Sequence, residues 1–272
     1  MSSHPSPTAR AKAGALAASA AALLSLGLSA PAPAAAADTA PDRGEAAHAT
    51  AAVLDLDGTG RAPVIHGADT AYDTASIVKV DILAALLLKA QDAGRQLTTQ
   101  ERGRAEPMIM RSDNAAANAL WREIGRSSGL AAANRRLGLT STTGGPGAKW
   151  GLTRTTASDQ IRLLRAVFDG GRTADAGSTA LNAGSRAYIR ALMSRVVPEQ
   201  TWGVSALCGP GSQRALKNGW LQRNTSGRWD VNSVGQVTVK GHRYLVAVLS
   251  NGSASMTDGI ALVERTARTA MV

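Results

Sequence analysis

Two periods of hydrophobicity divide the sequence. Residues 53–56 and 64–66, Val-Leu-Asp-Leu and Val-Ile-His, are short apolar runs on either side of Asp57-Gly58-Thr59-Gly60-Arg61-Ala62-Pro63, and they predict two strands joined by a turn. Between residues 76 and 194 the apolar positions recur every three or four residues. They predict helices over 80–93, 115–124, 130–137, 158–168 and 186–193, separated by Gly- or Thr-rich breaks. After Trp202 strands return, at 215–220, 231–239 and 244–249, with Lys240-Gly241 as a tight turn, and an amphipathic helix over 259–270 closes the chain. This order predicts an α/β fold of the α+β kind. An antiparallel sheet is flanked by N- and C-terminal helices, and an all-helical lobe (about 80–195) is inserted between the two parts of an α/β lobe, 53–79 and 196–272.

The first residues change the boundaries of that picture. A basic stretch (Arg10, Lys12), an apolar run over 13–30 and the small-residue site Ala35-Ala36-Ala37 predict a secretory signal at 1–37, cut before Asp38. No arginine pair or nearby cysteine points to a twin-arginine route or a lipid anchor. The run is too short for a membrane-spanning helix. Residues 38–52 then read as a flexible leader and 53–272 as the folded domain, secreted and open to cell-wall association.

Composition removes several function classes. The formal net charge is +10, but the arginines are scattered and aromatic residues make up 3% of the chain, so no nucleic-acid surface is expected. The single cysteine, Cys208, excludes an intramolecular disulfide and reads as a small apolar residue. His48, His66 and His242 are isolated, so neither a metal site nor a cofactor is expected, and the chain reads as a monomer.

Three stretches offer a nucleophile. Val53-Leu54-Asp55-Leu56-Asp57-Gly58-Thr59 matches the opening motif of the haloacid-dehalogenase-type phosphatases. That chemistry needs later acids for Mg²⁺ and a parallel sheet, whereas here the chain returns at once as a strand, so Asp55 and Asp57 read as hairpin residues. Gly125-Arg126-Ser127-Ser128-Gly129 fits a nucleophile elbow but lacks the strand that must precede it. Ser76-Ile77-Val78-Lys79 stands at a helix start, and its i, i+3 spacing brings the Lys79 amine to the Ser76 hydroxyl. A desolvated lysine there can act as a base, and the helix start supplies N–H groups for an oxyanion.

Together with Ser112-Asp113-Asn114 and Lys217-Asn218-Gly219, this motif resembles the set of class A β-lactamases and penicillin-binding proteins, in the same order along the chain. The resemblance implies that Ser76 attacks an amide or lactam carbonyl while Lys79 takes its proton. Ser112, assisted by Lys217, serves the leaving nitrogen. Asn114, Asn218, Gly219 and Trp220 bind substrate, and the N–H groups of Ser76 and Trp220 form the oxyanion hole. Asp113 holds its loop. The implied substrate is a small molecule or peptide, a β-lactam or a D-alanyl cell-wall peptide.

The chain also departs from the pattern. The family's deacylating Glu has no counterpart, since no acid lies between Glu123 and Asp159. Asn218 replaces a Thr, Trp220 stands where a small residue is common, and the arginine for a substrate carboxylate is assigned to Arg228, with Arg223 or Arg214 behind it. Acylation with slow deacylation is therefore expected. The alternatives are a catalytically weak binding module for β-lactam or wall peptide and, more distantly, a Mg²⁺-dependent phosphatase acting through Asp55.

Overall fold

The structure, a computed structural model, describes residues 46–59, 62–169 and 180–272; the expected signal at 1–37 and the first part of the leader lie outside them. Five strands, β1 (His48–Asp55), β2 (Val64–His66), β5 (Arg214–Gln222), β6 (Trp229–Val239) and β7 (His242–Asn251), form one sheet in the order β2-β1-β7-β6-β5. Every neighbouring pair is antiparallel. Two short strands, β3 (Tyr72–Asp73) and β4 (Arg154–Thr155), pair apart from it. The helices are α1 (Val78–Asp92), α2 (Thr99–Met110), α3 (Asn114–Glu123), α4 (Arg126–Leu137), α5 (Ala157–Phe168), α6 (Ala183–Met193) and α7 (Met256–Thr269). The turn between β6 and β7 uses left-handed backbone at both Lys240 (φ 49) and Gly241 (φ 86), the geometry that matches the twist of a two-residue hairpin.

Alternation along the strands builds two cores, one on each face of the sheet. Ala52, Leu54, Leu245, Ala247 and Leu249 join the large core shared with helices α1 to α6. Their neighbours Ala51, Val53, Val246 and Val248 join a second core with Val263 and Ala267 of α7. Helix α1 lies inside the larger core, touching α2, α3, α4 and α6, and it is apolar around nearly its whole circumference.

The structure refines the expected layout in three places. Strand β1 starts at His48, so residues 48–52 of the expected leader are strand. Their three alanines carry little strand propensity, but the segment pairs with residues 247–251 of β7. Helix α2 was not distinguished because Gly103 and Pro107 interrupt its pattern; a capping box between Thr98 and Glu101 starts it nonetheless. Helix α5 packs on β1 and β7, so the inserted segment reaches the sheet. The expected C-terminal flanking helix is α7, and the residues before 46 lie outside those described.

Candidate active site

A tight connection between β3 and α1 presents Ser76. The residue lies in a 3-10 turn, Ala75–Ile77, that leads directly into α1, and Ala75 is held at φ 47, a left-handed conformation unfavourable for alanine. The surroundings impose it. The Thr74 N–H donates to Thr153 O at 2.8 Å. From β6, the Asn232 amide donates to Asp73 O (2.9 Å) and Thr74 O (3.1 Å) while accepting from Ser250 N (3.0 Å). Strand β5 lies so close that a Cβ on Gly219 would sit 2.7 Å from Ser76 N and 2.8 Å from both Ile77 N and Thr74 O. Only glycine allows this approach.

Opposite Ser76, the link between α2 and α3 brings in Ser112, also left-handed at φ 58. Asp113 caps α3 by accepting from Ala116 N at 2.7 Å, which fixes the loop, the role the motif gave it. The Lys79 amine reaches Ser76 Oγ (2.9 Å), Ser112 O (2.7 Å), Ser112 Oγ (3.0 Å) and Asn114 Oδ1 (2.7 Å). Two of these, a backbone carbonyl and an amide oxygen, can only accept. A neutral amine has two N–H groups and one lone pair, so these acceptors use both N–H groups and leave the lone pair free for the Ser76 hydroxyl proton.

On β5, the Lys217 amine donates to Asn218 O at 2.8 Å and Ser112 Oγ at 3.0 Å, with Gln200 Oε1 at 3.5 Å. The Ser112 hydroxyl therefore stands between two amines. Both lysines are 0% exposed, and no ion pair to a carboxylate involves either among the described residues. Burial pushes the Lys79 amine down to about 7, against a smaller upward pull from the Asp113 charge. Burial and then the Lys79 charge push Lys217 well below the usual lysine range.

Strand alternation decides where the remaining residues go. Residues 217 and 219 face the cleft, whereas 218 and 220 face the opposite core. The Asn218 amide donates to Gln200 O (2.9 Å) and Trp202 O (3.0 Å), and the Trp220 ring packs 5.9 Å from that of Trp202. The side chains of Asn218 and Trp220, expected to bind substrate, thus point away from it, which leaves their backbone. Of the arginines, Arg223 pairs with Asp73 and Asp230, so its charge is already matched. Arg228 donates to Gly252 O at 3.3 Å. Arg214, three residues before Lys217 on β5, lines a cavity of about 620 Å³ with Phe168, Arg190, Met193 and Gln236.

The sequence did not single out Asn232, Gln200 or Trp150. Asn232 had little signal, as one of several polar residues in β6 beside Asp230, Ser233, Gln236 and Thr238. Trp150 had none: its ring lies 4.6 Å from the Lys79 amine. Of the decoys, Asp55 Oδ1 accepts from Asp57 N and Gly58 N at 2.9 Å each, closing its own turn, and Ser127 lies in the first turn of α4, after Gly125. No group of three or more metal-ligating side chains occurs among the described residues, and no helix there is long and apolar enough to cross a membrane.

A model of the beta-lactamase enzyme family matches residues 102–271, which include Ser112, Asn114 and Lys217. The chain belongs to that family. Its fold is that of class A β-lactamases and PBP-A. A PBP-A mutant solved as its acyl-enzyme complex with penicillin-G is 24% identical, with a TM-score of 0.66 over 82% of this chain and 88% of that one. The TLA-1 extended-spectrum β-lactamase is 17% identical, with a TM-score of 0.68 over 85% and 95%. A class A β-lactamase from Bacteroides cellulosilyticus DSM 14838 is 15% identical, with a TM-score of 0.67 over 82% and 90%. Among curated proteins, "Putative lipoprotein LppW" of Mycobacterium tuberculosis (strain ATCC 25618 / H37Rv) is 30% identical over 131 residues, 48% of this chain and 42% of that protein. The Mycobacterium bovis protein of the same name matches to the same extent. The chain thus spans less than half the length of these curated relatives.

Proposed function

We propose that this β-lactamase-family hydrolase is exported and works through an acyl-enzyme on Ser76, with a β-lactam or a D-alanyl cell-wall peptide amide as acyl donor and with deacylation as its slow step. The observation that carries the reading is the bonding of Lys79, whose two acceptor-only partners leave its lone pair for Ser76 Oγ at 2.9 Å. In the forward step Ser76 Oγ bonds to the carbonyl carbon and its proton passes to Lys79. The backbone N–H groups of Ser76 and Trp220 receive the oxyanion. As the C–N bond breaks, the Ser112 hydroxyl gives its proton to the leaving nitrogen and is reprotonated from the amine of Lys79 or Lys217. The Asn114 amide steadies Lys79 and borders the substrate.

Hydrolysis of the ester then needs a water beside a base, and the segment between Glu123 and Asp159 offers no carboxylate for it. The small-residue site at 35–37 supports export, with Asp38 as the mature N-terminus, and the curated relatives' name as putative lipoproteins supports an exported family. The test is the intact mass of the mature protein after brief exposure to a penicillin. One covalent adduct per chain, located on the peptide that contains Ser76, is the expected result. Absence of an adduct across several lactams would replace the reading by that of a non-covalent binding module.

A further inference from the structure

The Lys79 amine is approached by Ser76 from the 3-10 turn, by Ser112 from the α2–α3 link, by Asn114 from the first turn of α3, and by the ring of Trp150 at 4.6 Å. The indole face presents nothing that can accept a proton from water, and its one donor is already committed, Trp150 Nε1 to Asn118 Oδ1 of α3 at 2.7 Å. The loop behind it is tied at several points. Trp121 Nε1, also on α3, donates to Gly147 O at 2.8 Å, and Gly145 N donates to Thr153 Oγ1 at 3.1 Å. A Cβ on Gly145 would lie 2.1 Å from Lys149 O, so the loop is folded tightly on itself. This acid-free segment therefore sets a fixed apolar wall beside the base.

We propose that Trp150 is a positioning residue that keeps water away from Lys79 and so sets the lifetime of the acyl-enzyme. The proposal rests on Ser76 being the acylated residue. A ring over an amine also attracts its charged form, which on its own would raise the lysine's basicity. Burial moves the amine the other way, down to about 7, against a smaller upward pull from the Asp113 charge. The other charges facing the amine are Asp113 on the α2–α3 link and Lys217 on β5, across Ser112; the loop itself carries only Lys149 and Arg154, and Arg154 is paired with Asp73.

Two measurements on Trp150→Ala and Trp150→Phe test the idea. The first is the lifetime of the penicillin adduct by intact mass. Trp150→Ala is expected to shorten it about tenfold or more, because water gains access to a base, while Trp150→Phe keeps it within about threefold. The second needs no substrate: NMR titration of isotopically methylated Lys79, whose midpoint is expected to rise in Trp150→Ala and to stay in Trp150→Phe. An alanine variant that acylates normally, deacylates no faster and leaves the Lys79 midpoint unmoved overturns the proposal. If the wild-type chain forms no adduct, the Ser76 reading falls and the Lys79 midpoint alone decides whether Trp150 is a dry cap. Should Trp150→Ala fail to fold, Asn118→Ala removes only the indole's tether and is read by the same two measurements, with changes in the same direction.

Discussion

The hairpin at Asp55–Asp57 and the cleft at Ser76–Lys79 both carry a nucleophile motif, and they treat charge in opposite ways. In the hairpin both carboxylates have partners. Asp55 accepts two turn N–H groups, and Asp57 takes Arg243 through its backbone N (2.9 Å) and Nε (3.1 Å), which lowers its carboxyl to about 2. In the cleft two lysines are buried against carbonyls and hydroxyls, with no ion-paired carboxylate, and both are driven toward their neutral forms. A group whose charged form is fully served has little reason to react. One denied that service at neutral pH is a base.

The strongest way to break this comparison is Ser76→Ala set against Asp55→Asn. The first should abolish labelling by penicillin while leaving unfolding stability within about 1 kcal/mol, and the second should leave labelling untouched. Persistent label on the Ser76 variant would put the nucleophile elsewhere. Next in size, Lys79→Ala should slow acylation by about 10²- to 10⁴-fold. In the wild type the base must be neutral, so acylation should fall about tenfold per pH unit below about 7 and level off above it. An acid limb centred near the ordinary lysine value would show that burial does not activate Lys79.

With a chromogenic cephalosporin, stopped-flow traces should show a burst near one product per enzyme and then slow turnover. Steady turnover without a burst would mean that Lys79 itself activates water efficiently. A smaller effect comes from Asp81, an acid placed in the lysines' situation. It is buried on α1, with Asn134 as its neighbour and one oxygen unpartnered, and burial followed by the Asp159 charge raises it to about 8. The folded state thus holds this proton more tightly than the unfolded chain. Its contribution to stability is full below about pH 4 and is lost as pH rises toward about 8. Asp81→Asn should flatten the fall in Tm between pH 5 and 8. Smallest of all, Asp57→Asn should move neither activity nor, measurably, Tm, since its ion pair is exposed.

The elements legible in the sequence were those whose period repeats over several turns or alternations, such as α1, α5, β6 and β7. Helix α2 was hidden by Gly103 and Pro107, and the two-residue strands β3 and β4 are too short to carry a period. At the site, Ser76 and Lys79 are one helical turn apart and Ser112 and Lys217 lie in short motifs, so local spacing revealed them. Asn232 grips residues 158 and 159 positions away, and Trp150 meets Lys79 across the cleft. Such contacts exist only once the two cores have closed, and no local pattern encodes them. The facing of Asn218 and Trp220 could have been read from strand alternation alone, because Lys217 fixes the parity.

For protein engineering, the close approach at Gly219 narrows the routes to altered specificity. The atoms a new side chain would meet there are all backbone, so no rotamer change in a neighbour can make room. A library randomised at that codon should return glycine alone among active clones. Diversity is better spent at 218 and 220, where a substitution acts on the wall from behind. A new residue there would reshape the cleft by tilting β5, much as a shim behind a door frame shifts the latch without touching it.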